Sequence, residues 1–327
     1  MGNAVVDYGI LLRHKIGNLL QTLLLITGLG LLLGYLAWFI GGAPFAIAAF
    51  AVVIFAYTLN PMLSPRLILR LFRGRELHAE DAPRLYMIFE ALAERAGLER
   101  VPRLYYIPSD IMNSFSTGTR DNAAVAVSDG LLRRLSLQET VAVLAHEIAH
   151  VRNNDIRVMG FADLVGQLTR LLSFIGQLLL IINLPLLLFS DYRIEWLPIL
   201  VLIFAPTLSA LIQLALSRSR EYEADLGAAQ LTGNPEGLAS ALERMEHYQG
   251  RQLAQLLLPG QRLPDPSLLR SHPPTGERVR RLLSLRGRPS WEEILSFPLH
   301  TAYGDHHVRI IAPSRLRPRW HRSGLWY

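Results

Sequence analysis

No charged residue occurs anywhere between Asn18 and Leu63. A helix needs about 20 mainly apolar residues to cross the hydrocarbon core of a bilayer. This run is long enough for two such helices, and Gly41-Gly42-Ala43-Pro44 supplies a break between them. Leu171–Ser190 and Trp196–Ser217 are also free of charge. The sequence therefore predicts four membrane spans, at about 19–40, 45–63, 171–190 and 196–216. Pro185, Pro198 and Pro206 interrupt the second pair. Membrane helices tolerate proline, because neighbouring groups satisfy the freed carbonyls. The alternative, buried core helices in a soluble protein, sits poorly with a chain that is 50% hydrophobic and only 18% charged. The first run is too long for the core of a cleaved signal peptide. With Arg13 and Lys15 ahead of it, it reads as an uncleaved anchor.

The arginines orient these spans. Arg13 and Lys15 precede the first, and Arg66, Arg70, Arg73 and Arg75 follow the second. Arg152, Arg157 and Arg170 lead into the third, and Arg218 and Arg220 follow the fourth. The connection between the first two spans is uncharged, and that between the last two holds a single Arg. By the positive-inside rule, both termini and the long middle segment are cytoplasmic. A net charge of +6 would also suit a nucleic-acid binder. Arginines that flank spans are explained more simply by anionic lipid headgroups, so the partner expected is the lipid bilayer and not nucleic acid. There is no cysteine, which excludes disulfides, thiol chemistry and Cys-ligated metal.

The spans divide the chain into 1–63, a soluble part 64–170, the hairpin 171–216, a second soluble part 217–286 and a C-terminal extension 287–327. Asp81 to Gly97 has helical periodicity, with Asp81 as a suitable N-cap and Gly97 as a stop. Arg103–Ile107 and Ala123–Val127 alternate as strands, with a shorter one at Asn113–Ser116 and a turn at Ser128–Gly130. Ser136-Leu-Gln-Glu139 is a capping box that opens the next helix. Asn234-Pro235 starts a later helix as N-cap and first helical residue, running to about Gln249. Thr275–Leu285 is also helical in pattern.

The helix opened by Ser136 carries Ala145-His-Glu-Ile-Ala-His150. Positions i and i+4 share a helix face, so His146 and His150 point the same way with Glu147 beside them. Two imidazoles so placed suit a tetrahedral zinc, and an adjacent carboxylate suits proton transfer from water. A catalytic zinc takes a third protein ligand. Asn153 and Ile156 occupy the positions where one zincin class places Gly and a third His, so the third ligand lies elsewhere. The last two spans form a hairpin, which returns the residues after it to the neighbourhood of the motif helix. Glu221 and Glu223 lie there, about 200° apart around a helix, so that one faces the metal. Glu221 has Asp225 one turn on, suited to orient a ligating histidine. Glu223 has Gly227 at that spacing. The competing reading pairs Glu221 with Arg218 or Arg220. Asp155 is read as a helix C-terminal residue rather than a support of the site.

Taken together, these blocks resemble the HtpX-type membrane zinc metalloproteases. That group shares its gluzincin site with the CAAX prenyl endopeptidases and a mitochondrial inner-membrane protease. The resemblance rests on Asn113-Ser-Phe-Ser-Thr-Gly118, Val125-Ala-Val-Ser-Asp-Gly-Leu-Leu132, His146-Glu-Ile-Ala-His-Val-Arg-Asn-Asn-Asp155, Ser217-Arg-Ser-Arg-Glu-Tyr-Glu-Ala-Asp225 and His272-Pro-Pro-Thr-Gly-Glu-Arg278, in that order. It covers about residues 80–286. Position 114 is Ser where the family often has Ala, a change that reads as conservative. The resemblance implies one zinc ion held by His146, His150 and Glu221, with Glu147 as catalytic acid and base. It implies that Asn113, Ser114, Phe115 and Ser116 form an edge strand to which a substrate peptide adds; otherwise Asn113 is an ordinary turn residue. The implied fold is a mainly α membrane protein, with about four transmembrane helices and a cytoplasmic α+β zincin-like protease domain built on a small sheet. The implied substrates are misfolded or damaged membrane proteins, at a bacterial-type inner membrane.

His272 is the candidate for a second oxyanion donor; otherwise its His-Pro-Pro element positions the following helix. His306, His307 and His321 lack matched spacing and read as solvated rather than as a second metal site. A CAAX-type endopeptidase would need more than four spans. An inactive zinc-dependent sensor would not need Glu147. A metal transporter would carry its ligands mid-span, whereas these lie outside the apolar runs.

Overall fold

The first apolar run folds as helix α1 (Tyr8–Leu59), which doubles back at Gly41–Gly42. Gly42 has a φ of +71°, a left-handed conformation that glycine adopts without steric cost. The two arms then pack together: a methyl on Gly34 would stand 3.1 Å from the Phe50 ring. In an unbroken helix those residues would be about 24 Å apart. The computed structural model describes residues 8–59, 65–189, 196–257 and 274–285. His272, the end of the second span and the extension 287–327 lie outside the described residues.

Helix α2 (Pro65–Leu71) and strand β1 (Arg75–Glu76) follow, then α3 (Pro83–Arg95), β2 (Arg103–Ile107), β3 (Ser114–Thr119) and β4 (Asn122–Ser128). After these come α4 (Asp129–Arg134), α5 (Leu137–Asn153), α6 (Asp155–Phe189), α7 (Trp196–Thr232), α8 (Pro235–Leu257) and α9 (Thr275–Ser284). Among the described residues, three helices are long and apolar enough to cross a membrane: Ile16–Phe55, Asp155–Ile182 and Leu197–Thr232. The two arms of the first hold the expected span 19–40 and the described part of the expected span 45–63. Pro185 and Pro206 lie inside continuous helix.

Several expected boundaries move. The third apolar helix begins at Asp155 rather than near Leu171. Asn154, at φ 60° and ψ 31°, turns the chain at the end of α5, and α6 restarts at once. Asp155 is therefore the first residue of a helix, not the end of one. The fourth apolar run and the stretch after it form one helix, α7. Ala82 caps α3 instead of Asp81, whose carboxylate instead accepts from the His78 N–H at 3.1 Å and from Arg75 at 2.9 Å. The turn at Ser128–Gly130 opens the short helix α4, capped by Ser128 Oγ. Helix α8 runs to Leu257, past Gln249.

The sheet has the order β1-β2-β4-β3, with β2 and β4 parallel and β3 antiparallel to β4. Among the described residues, strand β3 is thus an edge. Its register sets Ser114 against Val127 and Ser116 against Val125. One main core joins a face of this sheet to α3, α5, the end of α7, α8 and α9, with Phe89, Leu104, Val125, Leu144, Ala229 and Leu282 fully buried or nearly so. Helix α5 runs through its middle. The capping box forms as expected: Ser136 Oγ accepts from the Glu139 N–H at 3.3 Å, and Glu139 Oε2 accepts from the Ser136 N–H at 2.8 Å. A second cluster packs both arms of α1 against α6 and α7, through Leu29, Leu33, Val53, Val165 and Leu216.

Candidate active site

Helix α5 presents small residues to α7, and α7 answers with Gly227. A Cβ there would lie 2.6 Å from the Ala149 Cβ. This close approach sets the histidines of α5 against the acids of α7. His146 Nε2 and His150 Nε2 are 3.1 Å apart, and they lie 3.6 and 3.8 Å from the nearer Glu221 oxygens. Donors about 2.0–2.1 Å from a shared tetrahedral zinc stand about 3.3–3.4 Å from one another. Two imidazoles and one carboxylate at these separations fit a single divalent ion. They are the one such His and acid cluster found among the described residues.

Each histidine is held from behind by a carboxylate. His146 Nδ1 lies 3.1 Å from Asp225 Oδ1, one turn along α7 from Glu221. His150 Nδ1 lies 2.7 Å from Asp155 Oδ2. The sequence pattern gives Asp155 no part in the site, because no local signal marks the left-handed turn at Asn154 that brings it beneath His150. Glu223 points away to α1, where its Oε2 accepts from Asn18 Nδ2 at 3.0 Å. Glu221, and not Glu223, is the glutamate that clusters with the two histidines.

Arg278 of α9 ties the acids together, and sequence reasoning missed it. Its Nε and Nη2 donate to the two Asp225 oxygens at 2.8 and 2.7 Å, and Nη1 lies 3.1 Å from Glu221 Oε2. The guanidinium is nearly fully buried. Its field also reaches Glu147, so one cation serves three carboxylates. The available signal was its place at the end of the His272–Arg278 block. Burial works against charging His146, but the neighbouring Asp225 and Glu221 carboxylates outweigh it and push the imidazole up to about 10.

Glu147, next to the first histidine, is itself buried. Its Oε1 accepts from Ser114 Oγ at 2.7 Å. Edge strand β3 therefore runs beside the motif helix. Asn113 is held to β4 through its N–H to Ser128 Oγ at 2.9 Å and its carbonyl to the Ser128 N–H at 3.0 Å. Phe115 stacks obliquely on Phe72 at 5.4 Å, and Ser116 continues the strand.

Apolar helices long enough to cross a bilayer, joined to a two-histidine, one-glutamate pocket with a carboxylate beside it, define a membrane metallopeptidase. The family model for peptidase family M48 matches residues 79–286. The chain belongs to peptidase family M48. Similar curated proteins include a "Protease HtpX homolog" of Campylobacter hominis, 35% identical over 82% of this chain and 98% of that one. One from Persephonella marina is 37% identical over 82% and 98%, and one from Streptococcus agalactiae is 32% identical over 83% and 96%. Among solved structures, S. mikatae Ste24p aligns with a TM-score of 0.45 and 23% identity, covering 83% of this chain and 67% of that one.

Proposed function

We propose that this membrane metalloprotease is a zinc endopeptidase that cuts misfolded or damaged membrane proteins at the cytoplasmic face of a bacterial-type inner membrane. The observation that carries the reading is the convergence of His146, His150 and Glu221, with Glu147 next to the first of them and bonded to an edge strand. His146, His150 and Glu221 are the residues that would hold the zinc. A bound zinc activates water and polarises the scissile carbonyl.

The other parts of the reaction belong to the chain. Glu147 takes the proton of the attacking water on a carboxylate oxygen and gives it to the leaving amine, which departs neutral. Asp225 and Asp155 fix the two imidazoles with Nε2 inward. Arg278 offsets the buried charge of Asp225 and Glu221. The free edge of β3 offers main-chain hydrogen bonds to an extended peptide, which is how a protease holds a strand for cutting. His272 remains the proposed second donor to the oxyanion.

The arginines around the apolar runs support a cytoplasmic site with both termini on that side. The names of the curated relatives support the protease role, and quality control at the membrane is in keeping with them. Cleavage of an unfolded model protein by detergent-purified wild type and Glu147→Gln tests the reading. Wild type should cut and Glu147→Gln should not. Equal cutting by both would reject it.

A further inference from the structure

Ser114 joins two features that the reaction needs to keep in register. Its side chain lies against the motif helix, where Oγ donates to Glu147 Oε1 at 2.7 Å. Its main chain lies on the outer edge of the sheet. Asn113 directs both its N–H and its carbonyl toward β4. In an antiparallel pair these directions alternate along a strand, so Ser114 and Ser116 turn their peptide groups to the outer edge, away from β4. One residue thus faces an added substrate strand with its backbone and the carboxylate with its hydroxyl.

We propose that Ser114 is a positioning residue for the proton transfer, on the reading that Glu147 is the base. Its hydroxyl holds Oε1 and leaves Oε2 as the oxygen for the proton. The carboxylate then keeps one orientation while the proton is taken from water at Oε2 and passed on to the leaving nitrogen. A strand seated on the Ser114 edge is registered to that oxygen by a single side chain. An alanine here keeps the strand and its edge hydrogen bonds but frees the carboxylate to rotate. The loss falls on the chemical step and not on peptide binding.

The test is steady-state cleavage of fluorescein-labelled casein by full-length protein in detergent, with zinc per chain measured on each sample. Ser114→Ala should lower kcat about tenfold, a part of what a positioned acid–base group supplies. KM should stay within about twofold and zinc content should be unchanged. Ser114→Thr, which keeps the hydroxyl, should restore most of kcat. A Ser114→Ala kcat equal to or above wild type overturns the proposal. So does a fall that tracks lost zinc, a fall confined to KM, or one that Thr does not repair. Glu147→Gln runs alongside: if it cuts as well as wild type, the base assignment itself fails, a result distinct from any failure at Ser114.

Discussion

Asp155 Oδ2 stands 2.7 Å from His150 Nδ1, although the two residues lie on different helices. The left-handed Asn154 makes this possible by ending α5 and starting α6 within one residue. The acceptor fixes the ring so that Nε2 faces His146 and Glu221. Outer carboxylates of this kind typically contribute about 10- to 100-fold to metal affinity. Asp155→Asn is expected to lower zinc affinity by about that range, measured by competition with a coloured chelator, while the helical circular dichroism is retained.

The support of Asp155 extends to the first apolar helix. Arg220 Nη1 lies 3.5 Å from Asp155 Oδ1, and Arg220 Nη2 donates to Thr22 Oγ1 on the first arm of α1. Asn18, Thr22 and Ser219 are all buried around this link. Thr22→Val should weaken zinc binding by less than about tenfold, the lower end of such outer contacts. In the Asp155→Asn background it should have no further effect, because the relay is already cut there. The double-mutant cycle measures that coupling directly; additive losses would show that Thr22 acts by another route.

Arg278 binds both oxygens of Asp225 and reaches Glu221 from inside the core. Removing one partner of a buried charge cluster leaves the others uncompensated, at a cost of about 3–5 kcal/mol. Arg278→Met should destabilise the core around the site by that order, read as an earlier loss of tertiary signal in urea. Arg278→Lys should recover little, since an ammonium cannot make the paired contacts.

What could be read from the sequence depended on how local the signal was. His146, Glu147 and His150 follow from one helical period. Glu221 and Asp225 follow from the same period together with the hairpin that returns α7 to α5. The capping box at Ser136 and the stop at Gly97 (φ +67°) are local too. Arg278 was not legible, because its partners lie 53 residues and more away and no spacing rule links them. Asp155 was not legible, because its role depends on the left-handed residue before it. The Ser114 contact spans 33 residues and depends on how far β3 sits from α5. Residue type alone suggested only a conservative change from Ala.

The loop before the edge strand is pinned by Asp110. Arg134 Nη2 donates to its two oxygens at 2.8 and 2.9 Å, and Tyr248 Oη donates to Oδ2 at 2.9 Å. Burial raises this carboxyl, but the bonds from Arg134 and Tyr248 and the nearby arginine charges outweigh it, and its pKa is lowered. A carboxyl lowered by folding stabilises above its unfolded pKa of about 3.9 and loses that contribution as pH falls through the lower folded value. Amide exchange in β3 should therefore stay slow, relative to the intrinsic rate, down to about pH 4 and rise below it. Asp110→Asn should show the faster exchange already at neutral pH.

The most direct measurement is zinc per chain after exhaustive dialysis, for wild type, Glu147→Gln and Glu221→Gln. Three protein ligands imply about one zinc per chain in wild type. Glu147→Gln should hold the same amount, because its carboxylate works on the proton and not on the ion. Glu221→Gln should lose most of it. Full zinc in Glu221→Gln, or its loss in Glu147→Gln alone, would contradict the placement of the metal between His146, His150 and Glu221.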